Sequence, residues 1–257
     1  MNTIKKQLAF IIAMCCVYFL SQNASAQSVS KGVKNIVLVH GAFADGSSWA
    51  KVIPLLQAKG YNVIAVQNPL TSFQDDVAAA RRAIASMDGP VLLVAHSYGG
   101  MVISEAGNDP KVAGLLYVAA LVPEEGQNAN AVNAAMPTTG VEKKFQVSPE
   151  GFVSLSLNAV EENFVPDAAP EERKLIYATQ VPLHASAGEG KVLSPAWKTK
   201  PSWYIVATQD GVINPNLERY KAKLIKATTI ELTSGHVPMI SQPNKVANFI
   251  IGAAQKL

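Results

Sequence analysis

The sequence predicts an α/β domain: a mostly parallel sheet of about six strands, helices on both faces, and a small, mostly helical cap inserted between two of the strands. Three observations predict it. Short, continuous, β-branched apolar runs recur, as strands buried on both faces require. Helix-compatible segments separate them in strand–helix order, the pattern of parallel sheets with right-handed crossovers. The alternation lapses once, from about residue 122 to 195, and then resumes.

Asn35 to His40 is the first run, followed by the loop G-A-F-A-D-G-S-S. A helix is expected over Trp49 to Lys59, ended by Gly60, and a second strand over Tyr61 to Val66. Ser72 to Met87 has amphipathic spacing. Phe73, Val77, Ala80 and Ile84 share one face, and Asp75, Asp76, Arg81 and Arg82 sit largely off it. Val91 to His96 is the third strand and leads into a helix over Gly99 to Glu105. Val112 to Val118 is the fourth. The lapsed segment holds seven prolines between Pro123 and Pro195 and helix-like pieces such as Ala169 to Tyr177. So long a stretch is not bare loop, and its mixed apolar and polar character suits a lid over a pocket. Ser202 to Ala207 and Thr228 to Leu232 are the last strands. Helices are expected over Asn216 to Lys226 and Pro243 to Lys256.

The first 26 residues differ from the rest. Lys5 and Lys6 precede an apolar run from Leu8 to Leu20, and Ala24-Ser25-Ala26 matches a small-x-small cleavage site. This reads as a secretory signal peptide, which implies a periplasmic or secreted protein with no membrane attachment after cleavage near Ala26. Residues 27–257 are then one domain, with the cap as an insertion. Cys15 and Cys16, the only cysteines, fall in the leader, so neither disulfide nor thiolate chemistry is expected of the mature chain. The full chain has 22 basic and 19 acidic residues, and loss of Lys5 and Lys6 brings the net charge to +1. A nearly neutral chain without a basic patch argues against a nucleic-acid partner. With 49 % hydrophobic and 16 % charged residues, it buries a sizeable core. The composition leaves the oligomeric state open.

Three polar residues stand just past three predicted strands: Ser97, Asp210 and His236. Sites in open parallel sheets form at the carboxyl ends of the strands, so the three can converge. A serine hydroxyl becomes a nucleophile when a neutral imidazole takes its proton, and the imidazole needs a carboxylate on its other nitrogen. Each has a plainer alternative. Ser97 could be a turn or N-cap residue, and Asp210 could cap the following helix. Glu124 and Glu125, after the fourth strand, are competing carboxylates.

The backbone N–H of Tyr98, directly after the serine, and that of Ala42 or Phe43 in the loop after the first strand are the expected oxyanion donors. Phe43 and His96 are the candidate substrate contacts, with packing as the alternative for His96. His40 is expected to shape the loop, and His184 to lie on the cap surface. There is no H-E-x-x-H and no histidine pair one helical turn apart, so no metal is expected. Gly99-Gly100 lacks the rest of a dinucleotide fingerprint, and the chemistry requires no cofactor.

Four stretches carry a resemblance. V-L-V-H-G-A-F-A-D-G-S-S-W (37–49), V-A-H-S-Y-G-G-M (94–101), D-G-V-I-N-P (210–215) and G-H-V-P-M-I-S-Q-P (235–243) resemble the first-strand loop, nucleophile elbow, acid loop and histidine loop of the α/β-hydrolase superfamily. The likeness is greatest to its small-cap branch of bacterial esterases, plant methyl-ester and salicylate-binding esterases, and hydroxynitrile lyases. One departure is Ala95, where the common elbow has glycine two residues before the serine.

The resemblance implies hydrolysis of a small carboxylic ester through an acyl-enzyme on Ser97, with His236 as base and Asp210 as its carboxylate. The lyases of the branch carry threonine and lysine where this chain has Gly41 and Val237, which disfavours cyanohydrin cleavage. A non-hydrolytic, receptor-like role in binding a small ligand is the alternative, since some relatives of this fold keep the triad and act mainly as binding proteins.

Overall fold

The computed structural model describes residues 32–257; the expected signal peptide lies outside the described residues. Six strands form one parallel sheet in the order β2-β1-β3-β4-β8-β9. They are Asn35–Val39 (β1), Asn62–Ala65 (β2), Val91–His96 (β3), Val112–Val118 (β4), Ser202–Ala207 (β8) and Thr228–Leu232 (β9). The runs predicted as doubly buried are so: every residue of β1, β3 and β8 is buried. The edge strands β2 and β9 are partly exposed. Leu92, Leu93 and Val94 are fully buried in the sheet centre, and each such side chain contributes about 1.5–3 kcal/mol of burial free energy.

The helices follow from the strand order. The chain steps outward from β1 to β2 through Ile53–Gln57 (α1), then returns past β1 to β3 through Phe73–Ala85 (α2). Right-handed crossovers put α1 and α2 on opposite faces. Gly99–Ala106 (α3) packs beside α2, and the C-terminal helix Pro243–Ala254 (α9) packs beside α1. Ser72 caps α2, accepting from the Asp75 N–H. Instead of one helix over Trp49 to Lys59, there is a 3-10 turn at Gly46–Trp49, capped by Asp45, and then the short α1. Asp76 departs from the amphipathic reading of α2. It is fully buried, because the cap closes over that side of the helix.

Between β4 and β8 the expected short helices are present: Ala129–Asn133 (α4), Leu157–Ala159 (α5), Pro170–Thr179 (α6) and Ala185–Glu189 (α7). The segment is less purely helical than the sequence predicts. Phe145–Val147 (β5), Phe152–Leu155 (β6) and Leu183–His184 (β7) form a three-stranded antiparallel sheet. A tight turn joins β5 to β6, with Ser148 N–H on Phe152 O and Gly151 at φ +87°. Strands this short carry no usable periodicity, and β7 pairs with a segment about thirty residues away, which only tertiary packing supplies.

The sheet reverses its strand order between β1 and β3. Crevices outside the carboxyl ends of strands at such a point are where open α/β sheets bind ligands. Val39 pairs with Ala95 there, so the loop after β1 and the turn after β3 emerge side by side.

Candidate active site

Ser97 follows the last residue of β3 at φ +52°, in the left-handed region. That conformation costs a non-glycine residue roughly 1–2 kcal/mol. Hydrogen bonds hold it: Ser97 N–H donates to Val118 O, and Ser97 O accepts from the N–H groups of Gly100 and Leu121. The close crossing also requires three glycines, Gly41, Gly99 and Gly100, and a Cβ on Gly99 would lie 2.7 Å from His40 O. A Cβ on Gly41 would lie 2.6 Å from Ser97 Cβ, and one on Gly100 would lie 2.2 Å from Leu121 O. Ala95, in place of the usual glycine, sits fully buried within β3. The space restrictions fall on Gly41, Gly99 and Gly100 instead.

His236 lies in the loop after β9. Its Nε2 is 2.8 Å from Ser97 Oγ, and its Nδ1 is 2.5 Å from Asp210 Oδ2. The other Asp210 oxygen accepts from the N–H groups of Val212 and Ile213 at 2.6 and 2.8 Å, which fixes the carboxylate after β8. The cap of the next helix, Pro215–Leu224 (α8), is Asn214, which frees Asp210 for the histidine. Glu124 pairs with Lys221 and Glu125 with Lys198, so neither competing carboxylate takes the histidine's nitrogen. All three members of the Ser97–His236–Asp210 chain are buried.

The His236 ring lies between His96 and Phe164, at centroid distances of 4.6 and 5.4 Å. His96 is where the structure departs from the sequence reading. It is fully buried and does not line the cavity beside Ser97. Its Nε2–H donates to His236 O at 2.9 Å, which sets that tautomer. Strand alternation turns its side chain away from the pocket and under the histidine loop. Burial, reinforced by the neighbouring His236, holds His96 well below the usual histidine range, so it acts as a neutral donor.

His40 shapes the first loop. Its Nδ1–H donates to Gly41 O at 2.8 Å, its Nε2 accepts from Asn68 N–H at 2.9 Å, and burial lowers its pKa. His184, half-buried in the cap, contacts Ser186 Oγ and Glu150 O.

A cavity of about 360 Å³ opens between the sheet and the cap. Ser97, Tyr98, Ala42 and Phe43 form its floor, and Val141, Phe145, Leu183, Ile213 and Leu217 are among its apolar walls. Asn130, Thr138 and Glu142 are exposed polar residues on the same cavity. Phe43 has φ +60° and packs on Phe145 of the cap at 5.5 Å, so the oxyanion loop and the cap meet through it. The backbone N–H groups of Tyr98, Ala42 and Phe43 find no acceptor among the described residues. Donors left free beside a nucleophile suit a developing oxyanion.

Two buried carboxyls near the site carry no sequence signal. Asp76 accepts from Tyr98 Oη and Leu70 N–H, both at 2.8 Å, and so anchors the residue after the nucleophile. Glu218 of α8 lies against Asp210. In the sequence both are ordinary helix acids, and only the packing shows them to be buried.

Residues 36–249 match the profile of the alpha/beta hydrolase family. The pyrethroid hydrolase of Sphingobium wenxiniae is 28 % identical over 247 residues, covering 85 % of this chain and 86 % of that protein. Salicylic acid-binding protein 2 of Nicotiana tabacum is 25 % identical over 268 residues, covering 87 % and 98 %. Among solved structures, polyneuridine aldehyde esterase superposes with a TM-score of 0.74 at 21 % identity, over 86 % of this chain and 99 % of that one. With its profile matched from β1 into α9, its strand order and its fold neighbours in agreement, the chain belongs to the alpha/beta hydrolase family.

Proposed function

We propose that this protein hydrolyses small carboxylic esters through an acyl-enzyme. The observation that carries the proposal is the continuous hydrogen-bonded chain from Asp210 through His236 to Ser97 Oγ at the floor of an apolar cavity. Ser97 Oγ attacks the ester carbonyl carbon while His236 Nε2 takes its proton. The N–H of Tyr98 and that of Ala42 or Phe43 receive the oxyanion. Loss of one such donor typically raises a barrier of this kind by about 3 kcal/mol. His236 then returns the proton to the departing alkoxide as the acyl–oxygen bond breaks. Water, deprotonated by the same imidazole, releases the acid.

A cavity of about 360 Å³ is at the small end of ligand sites, which favours compact esters. The relative named as a pyrethroid hydrolase supports this class of reaction. Lyase chemistry is disfavoured at Gly41, where any side chain would press on Ser97. We further propose that the protein is exported, on the leader pattern of residues 1–26.

The relative named as a salicylic acid-binding protein favours one other reading, ligand binding without turnover. A panel of p-nitrophenyl and alkyl esters, varied in acyl and alcohol size, separates the two. Ester hydrolysis predicts a p-nitrophenol burst equal to the enzyme concentration and a phosphonate adduct on Ser97, both lost in Ser97→Ala. Absence of turnover and of adduct across the panel would refute the hydrolase reading.

A further inference from the structure

Glu218 lies on the second turn of α8, and its side chain is fully buried. Its Oε2 accepts from Ala207 N–H at 3.0 Å. Its Oε1 is buried and has no hydrogen-bond partner among the described residues. A bare carboxylate oxygen in a dry interior is strongly unfavourable. The Asp210 carboxyl lies beside it: Ala207, whose N–H donates to Glu218, takes the Asp210 N–H on its carbonyl at 3.2 Å, and the charge of Asp210 acts directly on Glu218. Asp210 already accepts from Val212, Ile213 and His236. An ionised carboxylate has about four acceptor sites, so one is left for a donor.

We propose that Glu218 is a positioning residue for Asp210: a neutral carboxylic acid whose O–H donates to the Asp210 carboxylate and holds its orientation toward His236. Its effect on turnover rests on the hydrolase reading; its protonation in the resting protein does not. Burial first, and then the charge of Asp210, push the Glu218 carboxyl well above the usual carboxylate range. The other groups facing it do not reverse this, and the charge of Arg219 is the smallest of the influences on it. Tyr204 of β8 is held neutral by burial and donates to Ala120 O. Arg219, next along α8, spends its guanidinium on Glu231 at 2.8 and 2.9 Å. With the carboxyl neutral, the bond locks one rotamer of Asp210 and draws part of its charge away from the imidazole.

The test compares Glu218→Gln, whose amide can still donate to Asp210, with Glu218→Leu, which cannot. Glu218→Leu is expected to lower kcat/KM about tenfold, the loss typical of a hydrogen bond to a charged group. It should also move the acid limb of the kcat/KM profile to higher pH, because an undistracted Asp210 holds the imidazolium more tightly. Glu218→Gln should restore both.

Two readouts need no turnover. Infrared difference spectra between resting wild type and Glu218→Gln should show a protonated carboxyl C=O band that only the wild type has. The downfield proton of the His236–Asp210 bond should shift in Glu218→Leu and return in Glu218→Gln. Absence of the carboxyl band, or a downfield proton and pH profile indifferent to both substitutions, would overturn the proposal. Should no ester be turned over, the hydrolase reading fails by itself, and the two spectra still decide the state and the effect of Glu218.

Discussion

Replacing Asp76 with asparagine should make the protein relatively more stable as pH rises. The Asp76 carboxyl is fully buried on α2, and burial pushes its pKa from 3.8 up to about 6. A raised pKa in the folded state means that the fold binds this proton more tightly than the unfolded chain does. The contribution to stability is therefore fully present below about pH 4 and is lost as pH rises through 6. At about 1.36 kcal/mol for each pKa unit, the move from 3.8 to about 6 is worth about 3 kcal/mol in all. About 2 kcal/mol of that falls between pH 4.5 and 7.5.

Asparagine is nearly isosteric and does not titrate. Its amide oxygen can still accept from Leu70 N–H. Its NH₂ can donate to Tyr98 Oη, whose own proton then turns to Ala187 O at 3.3 Å. The assay is urea unfolding followed by tryptophan fluorescence, on wild type and Asp76→Asn, at pH 4.5 and 7.5. Other titrating groups cancel in the difference between the two proteins. The stability of the variant relative to wild type should rise by about 2 kcal/mol between those pH values. A difference that stays flat, or falls, across this range would refute the assignment of a raised pKa to Asp76.

Gly100→Ala places a methyl 2.2 Å from Leu121 O, a backbone atom that cannot swing aside. It should lower the unfolding free energy by about 2–3 kcal/mol, and a urea midpoint matching wild type would contradict the tight elbow described here. Lys51 and Glu172 form a 2.7 Å ion pair between the turn before α1 and α6 of the cap, with both side chains partly exposed. Glu172→Ala should change stability by less than about 1 kcal/mol; a larger loss by thermal or urea unfolding would mean that the pair anchors the cap.

How far the site was legible depends on how local its signals are. Val91–His96 shows itself as a buried strand by composition, and Ser97 stands out because two small residues follow it closely. Asp210 and His236 could be placed at strand exits without knowing their distance from Ser97. The role of His96 was harder to read. Alternation says which way it points but not that the His236 carbonyl waits there. The spacing places Asp76 off the apolar face of α2, the face turned to the sheet. The cap covers that other side, so the helix is buried over a wider arc than its own periodicity reveals.

By itself the sequence determined the order of strands and helices and the residue types at the strand ends, and so made Ser97, His236 and Asp210 candidates for one site, because buried strands and tight turns write their requirements into adjacent residues. Only the tertiary structure decided the cap sheet, the left-handed Ser97 wedged against Gly41, the neutral His96 beneath the histidine loop, and the two buried acids beside the site. These depend on segments far apart in the chain meeting in space. Whether a carboxyl is charged follows from the company it keeps there, which residues next to it in the chain do not record.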